Sequence, residues 1–261
     1  MSHSTQNTNP LFTSRIHYPV NFDGHRESNI SYDEDPSLVM DVYYPNSLKS
    51  GGPVVIFVTG YPDFGFEQMT GMKLKDVQQY ISWAQLFASS GIAAVTYTNV
   101  NPEKDIFTLI QYLDDNAAAL GIDTNKISIW SCSGNVPNAL SVLAEKTQVK
   151  CASFLYGYMI DGGGSQVVEH ASKSFGFVRP VNGGILTELP PVLVVRAGKD
   201  EMPGLNDSID SFMSQCLRHN ESLTLLNLPN SSHAFDVVDH QLCTRQAIHM
   251  ILGFFKVHLT C

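Results

Sequence analysis

Apolar positions change their period repeatedly along this chain. Residues 39–44 alternate, with Met40, Val42 and Tyr44 on one face, as a half-buried strand does. Residues 54–58 (VVIFV) are continuously apolar, the pattern of a strand covered on both faces. Residues 76–89 switch to helical spacing through Val77, Ile81, Trp83, Ala84, Leu86, Phe87 and Ala88, and Gly91 ends that run. A strand over 92–97 follows. Asn101-Pro102 then opens a helix, an N-cap type followed by proline in the first turn, running to about Leu120 and closing at Gly121. Further strands are predicted over 127–130, 151–156, 192–195 and 223–228. Further helices are predicted over 134–145, 205–218 and 237–258.

Alternation of this kind predicts an α/β fold, a mostly parallel central sheet with helices on both faces. Residues 1–10 are polar and read as a disordered tail. Residues 11–261 read as one domain, with no internal repeat and no linker. The segment 157–190 fits the alternation worst. It is glycine-rich, with Asp161-Gly-Gly-Gly164, and reads as a cap-like insert or loop, a place where function often sits.

Composition narrows the class. A hydrophobic share of 43 % against 16 % charged supplies a full core and excludes a disordered chain. The formal net charge of -9 disfavours nucleic acid and anionic membrane surfaces as partners. Five cysteines lie scattered, with no paired spacing, and read as reduced thiols rather than a disulfide or zinc framework. The first ten residues lack the apolar core of a secretory signal, and no apolar run is long enough to span a bilayer. The expected compartment is therefore the cytoplasm.

Chemistry concentrates in Ile127-Ser-Ile-Trp-Ser-Cys-Ser-Gly-Asn-Val136, where a strand should end and a helix begin. A nucleophile on such a sharp turn projects from the top of the sheet, and the turn needs small residues two positions to either side. Ser133 has Ser131 and Asn135 there. Cys132 would have Trp130 and Ser131 would have Ile129, both too large. Ser133 is thus the candidate nucleophile and Cys132 an inert neighbour. The usual Gly-x-Ser-x-Gly is replaced by Ser-x-Ser-x-Asn, and Asn135 occupies a position that packs close to the strand.

Four further segments carry a resemblance. They are Leu38-Val-Met-Asp-Val-Tyr-Tyr-Pro45 with Pro53-Val-Val-Ile-Phe-Val-Thr-Gly60, residues 109–133, Pro191-Val-Leu-Val-Val-Arg-Ala-Gly-Lys-Asp200, and Ser231-Ser-His-Ala-Phe-Asp236. In that order they resemble the α/β-hydrolase superfamily, especially small esterases and dienelactone-hydrolase-like proteins, over about residues 37–258. The resemblance implies a serine hydrolase cleaving a carboxylic ester, with Ser133, Asp200 and His233 as its triad in the chain order Ser, Asp, His. Asp161 is the backup acid, and Glu201 is passed over because the family pattern selects the residue after Gly-Lys. His170, His240 and His249 are assigned to the insert or to the last helix.

The resemblance also implies an oxyanion hole made by the amides of Gly134 and Tyr61. Thr59-Gly60-Tyr61-Pro62 is similar to the family's His-Gly-x-Pro loop, and Pro62 has no N–H to offer. Thr59 stands where histidine is commoner, which leaves the hydrogen bonding of that loop open. No metal or organic cofactor is implied, and the expected partner is a small-molecule ester. The same constellation serves peptidases, thioesterases and lactonases. A non-catalytic hydrolase-fold binding protein is the rival from another class.

Overall fold

The computed structural model describes residues 9–46, 51–145, 148–181 and 186–260. The expected tail 1–10 lies outside them except for Asn9 and Pro10, which already belong to structure. Asn9 Oδ1 accepts from Leu11 N–H at the start of a short helix α1 (Pro10–Thr13).

The strands are β1 (His25–Ser31), β2 (Val39–Tyr44), β3 (Gly52–Phe57), β4 (Ala93–Tyr97), β5 (Ile122–Cys132), β6 (Val149–Leu155), β7 (Val192–Ala197) and β8 (Leu223–Leu228). They form one sheet in the order β1-β2-β4-β3-β5-β6-β7-β8. β1–β2 and β2–β4 pair antiparallel; β4–β3–β5–β6–β7–β8 run parallel.

The helices after α1 are α2 (Asp63–Thr70), α3 (Gln78–Ser89), α4 (Pro102–Asp115), α5 (Ala117–Leu120), α6 (Val136–Ala144), α7 (Val167–Phe175), α8 (Leu205–Arg218), α9 (Phe235–Val238) and α10 (Leu242–Thr260). Because side chains alternate along a strand, β3 sends Val54 and Ile56 to one face and Val55 and Phe57 to the other. The first face is covered by Leu109 and Leu113 of α4, Leu140 of α6 and Ile209 and Phe212 of α8. The second is covered by Trp83 and Phe87 of α3 and Ile248, Ile251 and Phe255 of α10. Among the described residues no helix is long and apolar enough to cross a membrane.

The predicted α/β architecture stands, with local differences. β1 carries no apolar alternation, since only Ile30 is even partly buried, so pattern reading passes it by. The long helix expected over 101–120 breaks at Asn116 into α4 and α5. Asn101 holds the N-cap position of α4 without a side-chain bond. Asp105 serves instead, its Oδ2 accepting from the N–H groups of Val100 and Asn101, both at 2.7 Å. The last helix divides into α9 and α10. The insert 157–190 contains α7, whose apolar face buries Val168 and Ala171.

Candidate active site

β5 ends at Cys132, and Ser133–Asn135 form a single 3₁₀ turn leading into α6. Ser133 sits at φ +55°, in the left-handed region that costs a non-glycine residue about 1–2 kcal/mol. The surroundings hold it there. Asn135 is buried, and its Nδ2 donates to Cys132 O and to Tyr80 Oη, both at 3.0 Å. Its Oδ1 accepts from Gly60 N–H at 2.7 Å. The residue that departs from the family glycine therefore ties the elbow to the loop after β3. Ser131 Oγ donates to Val58 O at 3.0 Å and adds a second tie to the same segment. Gly157 lies against the turn so closely that a Cβ there would collide with Val136. The Cys132 thiol is sealed inside, and burial pushes its pKa up to about 12.

Ser133 Oγ lies 3.0 Å from His233 Nε2, and His233 Nδ1 lies 2.7 Å from Asp200 Oδ2. Asp200 follows β7 and its side chain is 0 % exposed; His233 follows β8 and is 24 % exposed. The two loops are stitched together by Gly198 N–H to Leu228 O and Lys199 N–H to Ser231 O, both at 2.8 Å. A Cβ at Gly198 would approach the Pro229 backbone to 2.6 Å, so that crossing requires glycine. Asp200 Oδ1 also accepts from Met202 N–H at 3.0 Å. A buried carboxylate facing Nδ1 places the ring proton on Nδ1 and leaves the Nε2 lone pair facing the serine hydroxyl.

A second layer lies beneath the histidine. The Tyr156 ring meets His233 edge to face at 4.9 Å. Tyr156 Oη donates to Asp236 Oδ1 at 2.8 Å and accepts from Gln79 Nε2 at 2.6 Å. Asp236 Oδ2 takes Trp83 Nε1–H at 2.7 Å and Gln79 Nε2–H at 2.8 Å. Asp236 lies in the histidine segment, but nothing local in the sequence assigns a role to it, to Tyr156 or to Gln79. They come from distant parts of the chain, and no local pattern announces them.

The other candidates lie elsewhere. Asp161 accepts from the N–H groups of Val168 and Glu169, both at 2.9 Å, and pairs with Arg179 at 3.3 Å, so its carboxylate holds the start of α7. Glu201 is exposed. His170 is exposed on α7 and edges a separate hollow. His240 precedes α10 rather than lying on it and lies tilted against His17, ring centroids 3.7 Å apart, while His249 Nδ1 is 3.2 Å from Tyr18 Oη. Among the described residues no group of three or more His, Cys, Asp or Glu is placed to hold a metal ion.

The loop after β3 is held without the histidine that Thr59 replaces. Asn99 Nδ2 donates to Thr59 Oγ1 at 3.0 Å and to Tyr61 O at 3.1 Å, and Asn138 Nδ2 donates to Thr59 O at 2.8 Å. Asn99 is positioned in turn by Asp63, whose Oδ2 accepts its N–H at 2.8 Å. Burial raises the Asp63 carboxyl to about 6, outweighing the backbone donors that favour its charge. Gly134 is the second residue of the 3₁₀ turn, within the stretch whose N–H groups have no partner inside the helix. Tyr61 N–H has no partner among the described residues. Ser133 and His233 open into a cavity of about 520 Å³, whose apolar lining includes Leu11, Phe12, Phe66, Met69 and Leu74.

No protein-family model matches the chain, and no curated protein sequence matches it. Solved structures do. The chain is similar to the carboxylesterase EstE1 from a metagenomic library, at 16 % identity and TM-score 0.69, covering 93 % of this chain and 90 % of that one. It is similar to MGS-M1, an α/β hydrolase from a Medee basin deep-sea metagenome library, at 13 % identity and TM-score 0.68, covering 92 % and 100 %. It is also similar to a bacterial heroin esterase, at 16 % identity and TM-score 0.68, covering 93 % and 87 %. Identities this low establish the fold: the chain has the α/β-hydrolase fold.

Proposed function

We propose that this protein is a serine hydrolase that cleaves carboxylic esters of small molecules through an acyl-enzyme. The observation that carries the reading is the chain of contacts from Ser133 Oγ through His233 to the buried Asp200, at 3.0 and 2.7 Å. His233 takes the serine proton at Nε2 as Oγ attacks the ester carbonyl. Asp200 holds the imidazole in the tautomer that leaves Nε2 free and stabilises the imidazolium that forms. The amide of Gly134 and a donor from Tyr61 receive the charge developing on the carbonyl oxygen. His233 then returns its proton to the departing alcohol. Water attacks the acyl-serine with His233 again as base, and the acid leaves as Ser133 regains its proton.

Esters are favoured over peptides by the site's form. The apolar lining of the cavity suits an acyl chain or ring, and two of the structural neighbours named above, EstE1 and the heroin esterase, are described as esterases. The test is hydrolysis of p-nitrophenyl esters by the wild-type protein, Ser133→Ala and His233→Ala. Wild-type turnover with a loss of about 10³-fold or more in both variants supports the reading. Wild-type turnover that survives in either variant contradicts it.

A further inference from the structure

The proposed hydrolase site needs a second donor beside the Gly134 amide, and Tyr61 offers two, its backbone N–H and its phenol. Neither has a hydrogen-bond partner among the described residues. One residue cannot aim both at one oxygen. A tyrosine hydroxyl lies roughly 6–7 Å from its own backbone nitrogen, whereas two donors sharing an acceptor sit about 5 Å apart.

Packing distinguishes the two. The Tyr61 side chain folds across Gly134, the residue after the candidate nucleophile. A Cβ at Gly134 would collide with Tyr61 Oη and stand 2.9 Å from Tyr61 Cζ. Phe177 Cδ1 would stand 2.6 Å from the same point, so a glycine in that position makes room for the phenol and the Phe177 ring rather than for a backbone twist, since Gly134 is not among the residues with positive φ. The ring is clamped by tilted and edge contacts with Phe66 and Phe177, both at 5.9 Å between centroids. Asn99 fixes the Tyr61 carbonyl at 3.1 Å, so the residue is held from both ends. Tyr61 also lines the cavity into which Ser133 and His233 open.

From this geometry we propose that the phenol of Tyr61, rather than its amide, is the second donor to the tetrahedral oxygen, making Tyr61 a catalytic residue through its side chain. The inference rests on the serine-hydrolase reading above. Burial raises the phenol pKa, so the O–H stays protonated and able to donate across the neutral range. A clamped hydroxyl needs no reorganisation when the charge appears, which is what makes such a donor effective.

Tyr61→Phe tests this, because it keeps the amide and the ring and removes one O–H. The expected result is a fall in kcat of about 10²–10³-fold, with KM changed by less than about threefold. Binding of a phenylboronic acid, which forms a tetrahedral adduct on the serine, should weaken along with kcat. The thermal midpoint should stay in place, since the phenol bonds no other described group. A fluorophosphonate should still label Ser133 in the variant, more slowly. A Tyr61→Phe enzyme with wild-type kcat and wild-type boronate affinity would overturn the inference and return the role to the amide, with the hydrolase reading intact. A wild-type protein that neither labels nor turns over ester would overturn the hydrolase reading, and this inference with it.

Discussion

One peptide bond separates Ser133 from Cys132, yet their chemistry diverges because of backbone direction. The left-handed turn aims Ser133 Oγ at His233 Nε2, while the Cys132 thiol is sealed beneath it, with Tyr80 Oη at 3.9 Å. A thiol pushed up to about 12 carries almost no thiolate at neutral pH and makes no nucleophile. Cys132→Ala should therefore keep kcat/KM within about fivefold of wild type, while Ser133→Ala loses about 10³-fold or more. Equal losses in a p-nitrophenyl ester assay would contradict the register. The two aspartates separate in the same way. Asp200 faces His233, whereas Asp161 is taken up by two α7 amides and Arg179. Asp200→Asn should lower kcat by about 10⁴-fold, since an amide can hold the wrong imidazole tautomer. Asp161→Asn should leave kcat near wild type and cost about 1 kcal/mol of stability, read by denaturant unfolding. The reverse pattern would move the acid to Asp161.

At the scale of elements, each of the three residues rides on the end of a parallel strand or the loop just after it: β5 for Ser133, β7 for Asp200 and β8 for His233. That is why they were legible in sequence, where each lies in a short local run beside an apolar strand. The supporting groups were not legible. Gln79 and Asp236 stand 157 residues apart, and only the assembled sheet brings them under His233. Asn135 reads as a defect in the motif until its three hydrogen bonds to Gly60, Cys132 and Tyr80 are seen. α1 lies where the expected domain begins, next to the residues that read as a tail. The segment that follows it is anchored by Ile16 N–H to Ser82 Oγ at 3.0 Å and His17 N–H to Asp236 O at 2.7 Å, and Phe12 of α1 packs on Phe66 at 5.6 Å. Leu11 and Phe12 thereby line the cavity into which Ser133 opens. Phe12→Ala should lower kcat/KM for p-nitrophenyl octanoate by about tenfold and for the acetate by less than about twofold. A uniform change across chain lengths would show that α1 does not touch the acyl group.

The whole molecule carries the alternation that its sequence announces, because buried parallel strands must be apolar and their crossover helices amphipathic. What escaped is the polar edge strand β1 and the break between α4 and α5, which lack that periodicity, and α7, a short helix set in a glycine-rich stretch. Global stability should also report one site-linked group. Asp63 is 4 % exposed, and its folded pKa of about 6 lies above the ordinary carboxylate value of 3.8. The native state thus holds this proton more tightly than the unfolded chain does. Its contribution is fully present below pH 3.8 and is lost as pH rises through 6. Asp63→Asn cannot titrate there, so its stability relative to wild type should improve between pH 4 and pH 8, by on the order of 2–3 kcal/mol. Urea unfolding of both proteins at the two pH values checks this. A difference independent of pH would mean that Asp63 ionises normally.

The central claim, that Ser133 is a nucleophile activated by His233, is tested most directly by peptide mapping after treatment with a fluorophosphonate. The account predicts one phosphonyl adduct, located on Ser133, absent from Ser133→Ala, strongly slowed in His233→Ala and unchanged in Cys132→Ala. No adduct on the wild-type protein, or an adduct that persists in Ser133→Ala, would contradict it.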